Sequence, residues 1–235
     1  MIYQCYFSAE QTTRLLQHEA YRGFGLEPAV HPEITRGCPE LDCERTRTAL
    51  TEYAAFLHIW RNLPYDEDDW IGFTSYRQLD KTDFVFGCKV HIEALLQGCD
   101  FLAWYWWEVQ HVRLGLLTGA AAQAEISHPR LHDFTVDVLG KFGIALPSGY
   151  FSEPAVPFAN YWVLRKPQFA AYMDWSWPLV RHALAIDHPY KRYAQSWNRL
   201  DDKRKAVAYF TERLFVIWTL IGGFRGRRLG SLRRA

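Results

Sequence analysis

The sequence predicts a single α/β domain whose mostly parallel sheet is flanked by helices on both faces. Short apolar segments typical of buried strands alternate with longer segments of helical periodicity, and this alternation is typical of α/β folds. No repeat, low-complexity tract or Gly/Ser-rich linker divides the 235 residues. We therefore expect one domain over residues 1–224 and a basic, flexible tail over residues 225–235.

The first half of the chain contains two predicted strands and two predicted helices. The segment that opens the chain lacks the basic and long apolar regions of a signal peptide and predicts a strand. The predicted elements are a strand over 2–7, a helix over 10–20, a Gly- and Pro-rich loop over 23–40, a helix over 44–62, an acidic turn over 66–69 and a buried strand over 70–73. Leu50, Tyr53, Ala54 and Leu57 form the apolar stripe of the second helix, and Pro64 marks its end.

The second half continues the alternation. The predicted elements are a short helix over 90–97, a strand over 101–106, a helical region over 120–142 interrupted at Pro129, a loop over 143–157, a strand over 158–164, a helix over 167–186 and a last helix over 202–220. In open α/β sheets ligands bind at the carboxyl ends of the strands. We therefore expect functional residues directly after Phe7, Phe73, Trp106 and Leu164.

The composition excludes several classes of protein. The 27 Lys and Arg residues nearly balance the 26 Asp and Glu residues, which excludes acidic disordered chains and gives no general basic surface for nucleic acid. Five irregularly spaced cysteines lack the pattern of a zinc site and indicate reduced thiols. Aromatic residues make up 16% of the chain, enough for a core and for flat surfaces on which sugars or bases stack.

Familiar catalytic motifs do not occur in this sequence. The chain contains no P-loop, no dinucleotide-binding G-x-G-x-x-G, no G-x-S-x-G nucleophile elbow and no H-E-x-x-H zinc motif. Their absence argues against P-loop NTPases, simple Rossmann dehydrogenases, α/β-hydrolases and zincin proteases.

Three segments in order carry a resemblance to a known family. They are the helix Leu50-Thr51-Glu52-Tyr53 … Ile59-Trp60-Arg61-Asn62, the strand Ile71-Gly72-Phe73-Thr74-Ser75-Tyr76-Arg77, and the late helix Tyr209-Phe210-Thr211-Glu212-Arg213-Leu214. They resemble the motifs E-L-T-A-x-Y-W-x-W-K-N, I-G-L-x-H-Y-R-R and G-F-x-A-E-R-L of a domain-of-unknown-function family of bacterial glycosyltransferases from capsule and lipopolysaccharide clusters. The chain departs from the second motif at Ser75 and Gln78, where the family has His and Arg.

The resemblance implies a GT-A-like, nucleotide-sugar-binding domain with a nucleotide-sugar donor at the strand ends. That fold usually holds a divalent metal with an Asp-x-Asp, whereas the corresponding strand here ends in Thr74-Ser75-Tyr76-Arg77. We therefore assign no metal ligand and leave Mn or Mg open as a cofactor. Arg77 is the candidate to bind the leaving diphosphate, because a guanidinium binds phosphate oxygens bidentately.

Further site residues follow from the resemblance and from the strand ends. The candidates for binding the nucleotide-sugar are Tyr6, Phe7, Thr51, Thr74, Ser75, Tyr76, Arg77 and Arg213; Glu52 faces the same cleft in the family-based interpretation. Those for stacking on the sugar or acceptor are Trp106, Trp107 and Asn160, and those for the general base are Glu108, Glu212 and Asp100. Structural roles stay open for each: core aromatics, a turn cap at Asp100, and an ion pair between Glu212 and Arg213.

The function expected from these residues is sugar transfer from a nucleotide-sugar, with a UDP-sugar favoured, to a glycan or lipid-linked acceptor in surface polysaccharide synthesis. The alternative is a catalytically degenerate domain that binds nucleotide or glycan without turnover. A nucleic-acid partner is not expected. We expect a cytoplasmic location, with a weak contact between the five arginines of the tail and anionic lipid at the inner face of the membrane.

Overall fold

The computed structural model describes residues 1–62, 69–191 and 206–229. The strands are β1 (Ile2–Tyr6), β2 (Tyr21–Gly25), β3 (Trp70–Ser75), β4 (Phe101–Ala103), β5 (Trp106–Glu108), β6 (Arg113–Leu114), β7 (Leu117–Thr118), β8 (Ala155–Pro157), β9 (Trp162–Arg165) and β10 (Gly226–Arg228). Six of them form the central sheet in the order β10-β4-β9-β3-β1-β2. The remaining four form two separate pairs, β5 with β8 and β6 with β7.

The central sheet is mostly parallel, as the sequence predicts. β1 pairs in parallel with β2 and β3, and β10 pairs in parallel with β4. β9 is the antiparallel strand, inserted between β3 and β4, with Trp162 opposite both Phe73 and Ala103. Because β9 runs the other way, the residues that precede it lie at the edge where β3 and β4 end.

The helices lie between the strands and against the sheet. They are α1 (Glu44–Leu50), α2 (Glu52–Asn62), α3 (Gln78–Lys81), α4 (Lys89–Leu96), α5 (Gly119–Ser127), α6 (Leu131–Gly140), α7 (Gly149–Ser152), α8 (Lys166–Ala185) and α9 (Ala206–Gly222), with 3₁₀ turns at Ala9–Arg14 and Pro39–Asp42. Pro178 lies inside α8. The interruption predicted at Pro129 separates α5 from α6.

The predicted helix over 44–62 is two helices. They meet at Thr51, which has a φ of 48° and whose backbone N–H bonds the Arg47 carbonyl oxygen at 3.0 Å. A positive φ is uncommon for a β-branched residue. The break gives α2 its own N-terminus, with Glu52 as its first residue.

The prediction over residues 10–40 is wrong in two places. Instead of a helix over 10–20 the chain forms the short 3₁₀ turn, and β2 occupies the start of the predicted loop. Gly23 and Gly25 resemble turn residues in the sequence, but they lie in a strand that neighbours approach closely. A Cβ at Gly23 would lie 2.8 Å from the Leu15 side chain, so the glycine is required by packing.

The predicted strand over 101–106 is also two strands. β4 belongs to the central sheet, whereas β5 leaves it and pairs with β8. The strand predicted over 158–164 begins later, at Trp162. The chain between β8 and β9 consequently crosses the carboxyl edge of the sheet.

Two hydrophobic cores pack on the two faces of the sheet. The larger contains side chains of α2, α8 and α9, including Phe56, Phe169 and Phe215, packed on Phe73 and Trp162. Ring centroids of Phe56 and Phe73 lie 4.1 Å apart, and Trp162 stacks on Phe215 at 4.7 Å. The smaller core is on the opposite face, and its largest side chains include Trp70, Phe86, Trp104 and Tyr161. Most of the aromatic residues therefore build the core.

The segment expected to be a flexible tail begins with structure. Gly226–Arg228 form the edge strand β10, and a Cβ at Gly226 would lie 2.2 Å from the Phe101 ring. Arg225, Arg227 and Arg228 are exposed. The acidic residues 66–68, the residues 202–205 of the predicted last helix, and Arg233 and Arg234 lie outside the described residues. Among the described helices, none combines the length and the apolar character needed to cross a bilayer.

Candidate functional site

The centre of the candidate site is a pair of hydroxyl groups at the carboxyl edge of the sheet. Ser75 is the last residue of β3, and Tyr161 immediately precedes β9. The Ser75 Oγ lies 2.5 Å from the Tyr161 hydroxyl oxygen. Both side chains are buried, with 4% and 2% exposure. The Ser75 Oγ also accepts a hydrogen bond from the backbone N–H of Arg77 at 3.2 Å. The pair fixes the relative positions of the β3 end and the β9 start.

Three charged side chains from three elements act on this pair. Burial raises the pKa of Tyr161, the Ser75 hydrogen bond and Arg77 lower it, and Glu52 and Glu212 raise it further. Glu52 is the first residue of α2, Arg77 follows β3, and Glu212 lies in α9. The charges of two carboxylates and one guanidinium therefore act on the tyrosine at this strand end.

Glu52 is placed at this edge by the break at Thr51. Its charge raises the pKa of Cys5, near the end of β1, in addition to the larger effect of burial on that thiol. Glu52 is partly buried, whereas Thr51 is buried with 7% exposure. Of these two neighbours, Glu52 is the one that carries a charge, and it is accessible enough to present that charge at the site.

Glu212 and Arg213 differ sharply in exposure although they are adjacent in α9. Glu212 is partly buried, whereas Arg213 is only 1% exposed. The Nε and Nη2 of Arg213 are buried without a hydrogen-bond partner. Burial lowers the pKa of Arg213, and Tyr150, Glu212 and Tyr190 raise it. A buried guanidinium with unpaired nitrogens is costly, and such groups are typical of functional sites.

Two further buried polar groups beside the pair have unpaired oxygens. Asn160 precedes Tyr161 and is 3% exposed, and its Oδ1 is buried without a partner. Thr74 is completely buried in β3, and its Oγ1 is likewise without a partner. Native proteins leave few buried polar atoms unpaired. Thr74 and Asn160 lie at the carboxyl end of β3, which is the position expected for a ligand site.

Arg77 lies on the open side of the site. Its side chain is 56% exposed, and its Nε donates to Asp80 Oδ2 at 3.3 Å. The nearby Lys81 Nζ lies 4.8 Å from the centre of the Tyr161 ring. The pKa of the Asp80 carboxyl is lowered, first by Arg14 and then by Arg77. Arg77 is thus accessible to an anion, as a diphosphate-binding role requires.

The other residues predicted to contact the nucleotide surround the same edge. Tyr6 ends β1 and is partly buried, as is Phe7, whose backbone N–H donates to Gln11 Oε1 at 2.7 Å. Tyr76 is partly buried, and its ring lies 5.3 Å below the Arg14 guanidinium. These positions are compatible with a stacking wall for a base.

Trp106 and Trp107, predicted to stack on sugar, have different surroundings. Trp106 stacks on Phe101 at 6.2 Å and donates its indole N–H to the Ala103 carbonyl oxygen at 2.8 Å. Trp107 stacks on Phe158 at 4.2 Å, and the guanidinium of Arg213 lies 4.5 Å from the same Phe158 ring. Trp107 is thereby joined to the buried arginine of the site through Phe158, whereas Trp106 packs on β4.

The remaining carboxylates predicted as bases lie away from Tyr161. Glu108 is 60% exposed on β5 and pairs with Arg228 of β10 at 3.4 Å. Asp100 precedes β4, at the opposite edge of the sheet, and its Oδ2 accepts the backbone N–H of Arg225 at 2.7 Å. Asp100 thus connects β4 to β10, and Glu108 connects β5 to β10. Of the three candidates, Glu212 is the one whose charge raises the pKa of Tyr161.

The described residues contain no group of three or more His, Cys, Asp or Glu side chains placed to hold a metal ion. Mg and Mn prefer sites rich in carboxylate oxygens. At this edge the cations Arg77 and Lys81 lie beside the hydroxyl groups, and among the described residues no carboxylate cluster is placed to hold such an ion.

Sequence reasoning missed three residues of this edge: Tyr161, Lys81 and Arg14. Tyr161 lies within the predicted strand 158–164 and was expected to be ordinary strand. Its role depends on the antiparallel register of β9 against β3, which no local pattern shows. Arg14 fell in a predicted helix, and only the 3₁₀ turn directs it to Asp80. For Arg14 and Lys81, the available signal was their position after the ends of β1 and β3.

Comparison with known proteins gives one structural match that bears on the fold. No family model matches the chain, and no curated protein matches it. Among solved structures, the chain is similar to the apo structure of WbbM, a bifunctional glycosyltransferase, with a TM-score of 0.65 and 17% sequence identity. The match covers 97% of this chain and 44% of WbbM, so the chain spans less than half of that protein's length. The chain therefore shares its mostly parallel α/β fold with a part of a bifunctional glycosyltransferase.

Proposed function

We propose that this protein is a glycosyltransferase that moves a sugar from a nucleotide-sugar donor to a hydroxyl of a glycan or lipid-linked acceptor. The observation that carries the proposal is the buried Ser75–Tyr161 hydroxyl pair, which the exposed Arg77 follows directly along the chain. This pair lies at the carboxyl edge of the sheet, where α/β folds bind ligands. The fold shared with WbbM supports the same reading.

The proposed chemistry needs a carboxylate and a guanidinium in different roles. Transfer needs a base that takes the proton of the acceptor hydroxyl and a cation that stabilises the departing nucleoside diphosphate. Glu212 is the base that we favour among Glu212, Glu108 and Asp100, because it is partly buried beside the pair. Arg77 is the cation that we favour, because its exposed guanidinium can bind phosphate oxygens bidentately.

The finer parts of the proposal come from the sequence. A UDP-sugar is the favoured donor, and surface polysaccharide synthesis at the inner face of the membrane is the favoured setting. Trp107 is proposed to contact a sugar ring with the face that Phe158 does not cover. The exposed Arg225 and Arg227 are proposed to contact anionic lipid weakly.

The experiment that tests the function measures sugar transfer and donor hydrolysis by the wild type, Glu212→Gln and Glu108→Gln. The proposal predicts that E212Q retains donor binding but loses at least about a hundredfold in turnover, as expected for a general base. E108Q, which removes an exposed ion pair, keeps turnover within about threefold. Equal turnover by E212Q and the wild type would contradict the assignment of the base.

A second candidate function is a degenerate domain that binds nucleotide or glycan without turnover. It is favoured by the two departures from the family motif, which are both engaged in internal structure. Ser75 is bonded to Tyr161, and Gln78 is 1% exposed and donates to the Phe84 carbonyl oxygen at 2.8 Å. This reading predicts that the wild type binds a nucleotide-sugar but neither transfers nor hydrolyses it.

A further inference from the structure

A basic cluster at the carboxyl edge combines two arginines on one carboxylate. We define the Asp80 cluster as Arg14, Arg77, Asp80 and Lys81. Arg14 lies in the 3₁₀ turn that follows β1, whereas the other three residues follow β3. The Arg14 Nη2 lies 2.5 Å from Asp80 Oδ1, and the Arg77 Nε lies 3.3 Å from Asp80 Oδ2. The cluster contains three cations and one carboxylate, so its net charge is positive.

Two of the three cations also lie against aromatic rings. The Arg14 guanidinium lies 5.3 Å from the centre of the Tyr76 ring. Lys81 lies 4.8 Å from the ring of Tyr161 and 5.4 Å from that of Tyr105. The shared carboxylate holds Arg14 and Arg77 near each other, and cation–π contacts help to position Arg14 and Lys81.

The cluster is also open to a ligand. Arg14 and Arg77 are 45% and 56% exposed, and Asp80 is 39% exposed. The Arg77 side chain uses its Nε for Asp80, which leaves the two terminal nitrogens directed elsewhere. A guanidinium can bind two phosphate oxygens through such nitrogens. The two arginines contact different oxygens of one carboxylate, so their guanidiniums lie near each other and can together contact two neighbouring phosphate groups.

We propose that the Asp80 cluster is a diphosphate-binding site in which Arg14 and Arg77 contact the two phosphates of a nucleoside diphosphate. Asp80 acts as a positioning residue that spaces the two guanidiniums. This inference rests on the proposed function, which it deepens: the donor is a nucleoside-diphosphate sugar rather than a nucleoside-monophosphate sugar. The cations supply the neutralising positive charge that a divalent metal ion, held by acidic residues, supplies in metal-dependent enzymes.

The test measures binding by titration calorimetry at low salt, with UDP, UMP and inorganic pyrophosphate as probes. The variants are Arg14→Ala, Arg77→Ala and the control Arg36→Ala. Arg36 is a matched control because it is exposed and forms an i,i+3 ion pair with Glu33 at 3.1 Å. Charge-assisted hydrogen bonds predict that R14A and R77A each weaken UDP and pyrophosphate at least about tenfold. UMP binding changes less than about threefold, and R36A matches the wild type.

The outcomes separate this inference from the proposed function. R14A binding UDP and pyrophosphate as tightly as the wild type would overturn the inference even if the wild type transfers sugar. Pyrophosphate binding that depends on Arg14 and Arg77, in a protein that transfers no sugar from any nucleotide-sugar, would support the cluster and contradict the proposed function. Wild-type protein that binds neither UDP nor pyrophosphate would overturn the inference, whereas the proposed function is tested separately by sugar transfer. Arg14→Lys, which keeps the charge, is expected to restore part of the affinity and serves if R14A does not fold.

Discussion

The Ser75 and Tyr161 hydroxyls lie 2.5 Å apart, and this contact joins the end of β3 to the start of β9. Both groups are buried, and Tyr161 bonds to Ser75, whereas Ser75 has a second partner in the backbone N–H of Arg77. β9 is antiparallel to β3, and this direction is what brings Tyr161 to the edge at which β3 ends. The contact therefore links the sheet topology to the position of the proposed donor site.

Removing one hydroxyl of this pair is expected to destabilise the fold and to weaken donor binding. Tyr161→Phe removes one of the two hydrogen-bond partners of the buried Ser75 hydroxyl, which costs about 1 kcal/mol of unfolding free energy. The combined change Tyr161→Phe with Ser75→Ala is expected to cost less than the sum of the single changes, because the pair acts as a unit. Urea denaturation of the single and double variants measures this coupling.

A second hydroxyl pair provides the control. Tyr53 and Ser176 lie 2.7 Å apart and join α2 to α8 within the larger core. Tyr53→Phe is expected to destabilise the protein by a similar amount but to leave nucleotide-sugar affinity unchanged. Loss of donor binding in Y53F as large as that in Y161F would show that the effect is general destabilisation.

Arg213 is expected to contribute more to function than to stability. Its guanidinium is buried with two unpaired nitrogens, and desolvation of a buried charge costs several kcal/mol. A cation–π contact with Phe158 returns only about 2 kcal/mol. Arg213→Met should therefore leave the unfolding free energy within about 1 kcal/mol of wild type while reducing donor turnover. A large loss of stability in calorimetry would instead identify Arg213 as a structural bridge.

The two tryptophans of β5 are expected to separate into a binding and a structural residue. Trp107→Ala removes an aromatic face at the site and should raise the KM for the acceptor more than it lowers the melting temperature. Trp106→Ala removes a ring packed on Phe101 and bonded to Ala103, which should cost about 3 kcal/mol of stability. Acceptor kinetics and thermal melting of both variants check the contrast. Equal effects of the two variants on KM would contradict it.

Two histidines near β2 are expected to make the free energy of unfolding depend on pH. His31 and His58 have ring centroids 5.4 Å apart, and burial lowers the pKa of both. Glu33 raises the pKa of both histidines, the Ile34 carbonyl raises that of His58, and Arg36 lowers it. Burial has the largest effect, so the unfolded chain binds these protons more readily than the folded chain.

The sign of the effect follows from this difference. The stability is complete above the unfolded pKa of about 6.5 and falls as the pH drops towards the lower folded pKa. Urea denaturation between pH 7.5 and 5 should show this loss, and His58→Gln should reduce its slope. His111→Gln, at an exposed position, is the control. A slope that H58Q leaves unchanged would contradict the assignment.

Much of the fold could be predicted because several elements have strong local patterns. The strand at the start of the chain, the buried strand after the acidic turn, α4, the α5–α6 pair and α8 were confirmed within a few residues. Their apolar residues recur at strand or helix spacing, and prolines mark their limits. The parallel arrangement followed from the alternation of strands and helices.

The errors came where tertiary contacts override local pattern. The two glycines of β2 indicate a turn, but they lie in a strand because Gly23 packs closely against Leu15 and Gly25 against Val30. Thr51 carries no sequence signal for the positive φ that divides the predicted helix. The path of β5 away from the central sheet depends on pairing with β8, a segment almost fifty residues later. Such long-range pairings are not visible in a local window.

The candidate site was predictable in part. Arg77 and Ser75 could be placed at a strand end from the position of β3, and Glu212 from the motif in the last helix. Tyr161 could not, because its contact with Ser75 depends on the register between β3 and β9. Asp100 was placed at the amino end of its strand by the same reasoning, and the structure puts it at that edge.

The most direct test of the account measures the melting temperature with UDP-, GDP-, CMP- and dTDP-sugars, with and without manganese, for wild type and Arg77→Ala. A ligand that binds only the folded state raises its melting temperature. We expect one nucleoside-diphosphate sugar to raise the melting temperature without a requirement for manganese. R77A should abolish this rise, and the control R36A should retain it. No rise with any nucleotide-sugar, or an equal rise in R77A, would contradict the placement of the donor at this edge.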